Sequence, residues 1–317
     1  MKEYTDEILQ STKYVVDNSA HVHILEENIS RFCEENPIRR KETDWLQNNP
    51  FPINNLDEKE KIHLMLTFNS LSFSYWGDPS WRVTHDNKAY NRGSWSLIAA
   101  LMRAREEGIE ILSPTIQANM PRKELEHVLR GNIEIPILGE RLAILNQVGT
   151  VVSRDYNNDF RNMISGADYD ATGLLSKIIK SFPLFEDTAI YNGKKICFYK
   201  RAQALVQSIS SLEEEPLENA DRLTALADYK LPVPLRDSKI LSYSDELARI
   251  IDNKQLISKG SGYEVEIRAN TIWAVEGIKD YLCDKGIKLN RKEINDYLWI
   301  TADKHNAAHH RTRTTAY

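Results

Sequence analysis

The chain reads as a run of amphipathic helical segments separated by short breaks. "SAHVHILEENISRFCEE" places Val22, Leu25, Ile29 and Phe32 on one face, so the first forty residues are read as helical. "NPFPINNLDEKEKIHLMLTFNSLSFSYW" opens as a proline-broken loop. A helix is expected from about Asp57 to Leu71, with Ile62, Leu64, Met65, Leu66 and Phe68 on its apolar side. "SWSLIAALMRAREEG" predicts a short helix ended by Gly108, and "PRKELEHVLRG" one that starts at Pro121 and stops at Gly131. Helices follow over "LGERLAILNQVGTVVSRDY", "TGLLSKIIKSFP" and "KRAQALVQSISSLEEE". The C-terminal third continues with "RLTALADY", "SDELARIID", "EIRANTIWAVEGIKDYLCDKG" and "NRKEINDYLWITADKH". The last opens on Asn290 and Glu293, spaced as a capping box.

Strand signals are few. "WRVTHDNKAYNRG" alternates around Asp86-Asn87-Lys88, and "TAIYNGKKICFY" carries an Asn-Gly turn between β-prone flanks. That is too little strand for a doubly wound sheet. The pattern predicts a mainly α protein with one or two small β-hairpins. One domain over residues 1–317 is expected, with 1–45 as a helical N-terminal extension and "EEEPLE" as an exposed loop.

Composition narrows the classes. Of 317 residues, 41 are Lys or Arg and 46 Asp or Glu, a net charge of −5. That balance gives no broad electrostatic footprint for DNA or RNA, so no direct nucleic-acid partner is expected. No apolar run reaches bilayer length, and the charged "MKEYTDEILQ" does not read as a secretory leader. Cys33, Cys197 and Cys283 are far apart and read as reduced thiols of a cytoplasmic protein. There is no phosphate-binding glycine loop ending in Gly-Lys-Ser/Thr, and "GSGYEVE" does not fit a dinucleotide fingerprint. His305 and His309 would share a helix face beside Asp303 if the last helix ran that far. A solvated tail fits the same residues, and neither a metal nor a cofactor is expected.

Several groupings carry candidate chemistry. "SLSFSYWGD" and "GSWSLIAAL" concentrate aromatics and hydroxyls, "FYKRAQ" holds Lys200 and Arg201, and "LADYKLPVP" puts Asp228 before a proline-rich break. "EVEIRANTIWAVE" sets Glu264, Glu266 and Glu276 near Arg268, with Glu266 and Arg268 read as a pair beneath Trp273. "HHRTRTTAY" ends the chain with Arg311 and Arg313. In this order, with "LGERLAILNQVG", "SFPLFEDTAIYNGKKICFYKRAQALV" and "DYLW", these segments resemble the queuosine salvage family from about residue 45 onward.

The resemblance implies a helix-hairpin-helix DNA-glycosylase-like fold. It also implies hydrolysis of the N-glycosidic bond of a modified nucleoside 5′-phosphate, by default queuosine 5′-phosphate, freeing the 7-deazaguanine base queuine. The partner is then a small modified nucleotide. Such cleavage builds positive charge on the sugar, which a buried carboxylate stabilises. Asp228 stands where the family reads the base, and Leu226 replaces an aromatic two positions earlier. Leu46 falls where the family has a histidine. Aligning Tyr297-Leu298-Trp299 puts Asn295 and Asp296 at the family's Asp-Tyr pair, and Ile300 at its catalytic Asp.

An isoleucine cannot stabilise a cation, so another acid would have to act. Asp296, four residues earlier, and Asp303, three later, lie near the same helical face. Each also reads as a solvated surface acid. Trp76 and Tyr75 fit either a base-pocket wall or core packing. Lys200 and Arg201 fit either a phosphate or an ion pair with Glu186 or Asp187. Ile300 leaves open a paralogue that binds a deazaguanine nucleotide without cleaving it, and the altered pocket leaves open an N-glycosidase for a different nucleotide.

Overall fold

A computed structural model describes residues 3–39, 46, 49–212 and 216–317. Residues 1–2 and 40–45 of the expected extension and 213–215 of "EEEPLE" lie outside the described residues. The architecture is mainly helical, with three two-stranded antiparallel sheets among the described residues. The chain groups into two compact units, each made of segments separated in sequence. The first comprises Met1–Asn48, Asp187–Gln203 and Asp221–Thr314, and the second Asn49–Glu186, Ala204–Ala220 and Thr315–Tyr317. No helix among the described residues is long and apolar enough to cross a membrane.

The first unit is built on helix Gly262–Asp284. Ser261 caps its start by accepting from the Glu264 amide, and residues on nearly every side of it are buried. A helix covered all round is a central helix, not a surface one. Helices Tyr4–Asp17, Glu27–Glu35, Pro232–Asp237 and Arg291–Thr301 pack on it. Gly277 permits one close approach: a Cβ there would come within 2.8 Å of Ile29 Cδ1. Helix Arg291–Thr301 starts with the expected capping box of Asn290 and Glu293.

Two local expectations are corrected in this unit. Val22–Ile24 is a strand, not helix; it pairs antiparallel with Leu241–Tyr243, Val22 opposite Tyr243. The reason lies in "HVHI", whose alternation has a period of two, and in Glu266, whose carboxylate accepts from the His21 and Val22 amides at 2.7 and 3.0 Å. "RLTALADY" is likewise not a helix but an irregular segment over residues 223–229. Side chains from elsewhere take its amides: Gln203 Oε1 accepts from Thr224 N at 2.8 Å, and Asn295 Oδ1 from Leu226 N at 2.9 Å. The hairpin Thr188–Tyr191/Lys194–Cys197 forms as predicted, with Asn192 and Gly193 at φ 47° and 76°.

The second unit contains helices Glu58–Leu71, Gly93–Glu106, Leu138–Asp155 and Ala171–Ser181, with shorter helices between them. Asp57 and Glu60 form a capping box at the first, and every residue from Ile62 to Leu71 is buried. Its hairpin, Val83–His85 with Lys88–Tyr90, turns at Asp86 and Asn87 as expected. Arg141 is fully buried; it donates to the carbonyls of Pro136, Leu71 and Phe73 and lies over the Phe73 and Tyr75 rings.

Candidate active site in the first unit

Asp228 sits just before helix Pro232–Asp237. Its Oδ1 accepts from the amides of Lys230 and Leu231 at 2.7 and 3.1 Å, which fixes the carboxylate on its own backbone. Its Oδ2 lies 3.9 Å from Lys200 Nζ. Both side chains are nearly buried, 8% and 12% exposed. Burial drives the Lys200 amine below the usual lysine range; Asp228 and Asp187 pull it up, and the cations of Arg201 and Arg268 push it down. A buried lysine with a depressed pKa next to a buried carboxylate is a functional-site signature.

Beneath this pair lies a second, fully desolvated one. Arg268, from the central helix, donates to both oxygens of Asp187 at 2.8 and 2.6 Å, and its Nε donates to the Ala227 carbonyl at 3.0 Å. Its guanidinium also covers the Phe198 ring at 3.9 Å. Each partner is 2% exposed. Breaking one side of such a pair costs roughly 3–5 kcal/mol, so its geometry is held firmly. The expected pairing of Glu266 with Arg268 beneath Trp273 does not form. Glu266 takes the His21 and Val22 amides and the Tyr191 hydroxyl, and Trp273 Nε1 donates to Thr12 Oγ1.

Helix Arg291–Thr301 brings the other candidates. Asn295 is buried and works in two directions: Oδ1 accepts from Leu226 N, and Nδ2 donates to Asp296 Oδ1 at 3.1 Å. Asp296 Oδ2 accepts from Lys292 Nζ at 2.7 Å, one turn back on the helix. Asp296 is 5% exposed and so is not a solvated surface acid. Ile300 follows one turn later on the same face and is half-buried, as are Leu226 and Trp299. The helix ends at Thr301 and a single 3-10 turn, Ala302–Lys304, carries Asp303. That carboxylate is exposed and paired with Lys230 Nζ at 3.1 Å, whose ammonium lies 4.9 Å from the Trp299 ring centre.

The tail closes this region. Because the helix stops early, His305 and His309 share no helix face: His305 Nδ1 meets Asp237 Oδ2 at 2.7 Å, and His309 packs on Tyr229. Burial lowers the His309 pKa, and burial with the charges of His309 and Arg268 lowers that of His310 to about 3. Backbone pairing of Ile257 with Arg311 anchors the segment.

The fold thus links Asp228, Leu226, Asn295, Asp296, Lys200 and Asp303 through neighbouring contacts in one unit, with Ile300 on the same helix as Asn295 and Asp296. Arg201 is there too, 2% exposed, and Leu46 is a buried residue of the same unit. Trp76 belongs to the second unit and is buried beside Tyr75, which stacks on Trp81 at 6.1 Å. Sequence reasoning named Asp187 only as one possible partner of Lys200 or Arg201 and did not connect it to Arg268, 81 residues away. The one local hint was the buried Glu264 at i−4 from Arg268, 3.5 Å from its guanidinium.

Comparison with known proteins adds the family. Residues 53–317 match the family described as queuosine salvage protein. A queuosine 5′-phosphate N-glycosylase/hydrolase of Sphaerobacter thermophilus is 31% identical, the alignment covering 98% of this chain and 97% of that one. Proteins of the same name from Nematostella vectensis and Bos taurus are 33% and 32% identical, covering 91% and 93% of this chain and 85% and 93% of theirs. A match of that extent, over residues 53–317 and at about 30% identity along nearly the whole chain, means that this chain belongs to the queuosine salvage protein family.

Proposed function

We propose that this protein hydrolyses the N-glycosidic bond of queuosine 5′-phosphate. Water adds across the bond: its hydroxyl goes to the sugar C1′, its proton to the departing queuine, and ribose 5-phosphate remains. The observation that carries the reading is the pair of buried carboxylates, Asp228 and Asp296, joined through Leu226 and Asn295 beside a buried lysine. Asp296 stabilises the cationic sugar and orients the water. Asp228 and Lys200 offer an acceptor and a donor to the edge of the base, and Leu226 and Ile300 supply apolar lining. Asp303, exposed and tied to Lys230, is the weaker candidate for the acid. A helix-hairpin-helix DNA-glycosylase-like fold belongs to the same reading, supported by the mainly helical architecture.

The test is chromatographic measurement of queuine released from queuosine 5′-phosphate by the purified protein. Release that is abolished by Asp296→Asn and weakened at the KM level by Asp228→Asn is expected. Binding of the nucleotide without release would replace hydrolysis with a binding function.

A further inference from the structure

We infer that Arg268 and Asp187 are positioning residues for this reaction, holding the Lys200 amine and the Asp228 carboxylate in register from behind. The inference rests on the proposed function for its kinetic consequence, but its geometry is independent of it. Asp187 takes the guanidinium with both oxygens, and its Oδ2 also accepts from the Lys200 amide at 3.0 Å. The same residue's carbonyl accepts from the Phe198 and Tyr199 amides. Tyr199 sits at φ 49°, in the left-handed region, so the chain turns sharply into the helix at this point. Asp187 therefore fixes the first residue of helix Lys200–Ser210. Arg268 Nε meanwhile holds the carbonyl of Ala227, the residue before Asp228. One guanidinium ties the backbones of both members of the pair.

The arrangement is also electrostatic. The charged groups facing Lys200 are Asp228, Asp187, Arg201 and Arg268. Glu264 faces Arg268 from the same helix, and His310 lies within its field from the tail. Arg268 and Asp187 act on the Lys200 amine with opposite sign, so removing either one alone should move its titration.

The experiment uses the full chain with Arg268→Lys, Arg268→Met and Asp187→Asn, each checked for cooperative melting. Queuine release gives kcat and KM, and ¹³Cε-lysine NMR, assigned with Lys200→Met, gives the Lys200 titration. Arg268→Lys keeps the charge but loses the forked geometry. It is expected to fold, to raise KM by about tenfold or more and to leave kcat within about threefold, because the two groups it holds are the ones that read the base. Arg268→Met is expected to raise the Lys200 titration and Asp187→Asn to lower it. If Arg268→Met fails to fold, the other two variants decide. Wild-type KM in both Arg268→Lys and Asp187→Asn, or a Lys200 titration that does not move down in Asp187→Asn, overturns the inference. A wild-type protein that releases no queuine defeats the proposed function alone, and the titration then judges the strut by itself.

Discussion

At the scale of single residues, Asp296 and Asp303 differ in the burial and pairing on which the proposed assignment of the acid rests. Asp296 is desolvated, and its two oxygens are aimed by Lys292 and Asn295. Asp303 is exposed and already paired with Lys230, so it is screened more and contributes less to stabilising a transient cation. Asp296→Asn should therefore cut kcat for queuine release by roughly 100-fold or more, the usual scale for a positioned acid or base, while Asp303→Asn changes it by less than about threefold. Comparing the two in one release assay checks the assignment. Ile300→Asp would add a second acid one turn from Asp296, and no gain over wild type is expected. A rise from zero activity would show that the natural chain is not this hydrolase.

At the scale of elements, helix Arg291–Thr301 depends on its first turn. Asn290→Ala removes the side-chain acceptor for the Glu293 amide and half of the capping box. The expected cost is about 1 kcal/mol, a fall in melting temperature of about 2 °C. Because Asn295 and Asp296 ride on this helix, queuine release should fall with it; calorimetry beside the release assay checks both. The same element shows why much of the fold was legible. Its capping box and apolar period are local properties, as are the capping box of helix Glu58–Leu71 and the Asn192-Gly193 turn. "RLTALADY" misled because its apolar spacing matches a helix, while the partners of its amides, Gln203 and Asn295, lie on distant segments. For the proposed site, Asp228, Lys200 and Asp296 could be singled out from motifs in one dimension. The Arg268–Asp187 bond could not, since nothing near either residue announces the other.

At the scale of the whole molecule, both units bury histidines whose neutral forms are built into their surroundings. His310 in the first unit is 1% exposed, its pKa lowered to about 3 from an ordinary 6.5. In the second, His63 Nδ1 meets the Leu112 carbonyl and Nε2 accepts from the Phe160 amide, and burial lowers its pKa as well. Below pH 6.5 the unfolded chain binds protons that these folded-state histidines refuse, so the linkage favours unfolding. The His310 contribution is complete above about pH 6.5 and is lost progressively as pH falls towards 3, and the His63 contribution is lost in the same direction. The melting temperature should drop between pH 7 and pH 5. The His310 ring signals in NMR should stay at their neutral positions over that range; a ring that titrates near 6.5 would refute the assignment.

The irregular segment over residues 223–229 has a kinetic consequence. Its order is borrowed: Leu226 is held from Asn295, 69 positions along the chain, and Ala227 from Arg268, 41 positions along. Contacts of such separation close late, after local helices have formed. Asp228 therefore acquires its place only when the surrounding helices are already docked. During refolding, recovery of helical circular dichroism should precede recovery of queuine release, and the amides of Thr224 and Leu226 should be among the last in the first unit to gain protection from hydrogen exchange. Activity would then report completed assembly, and a half-folded chain would carry no working site.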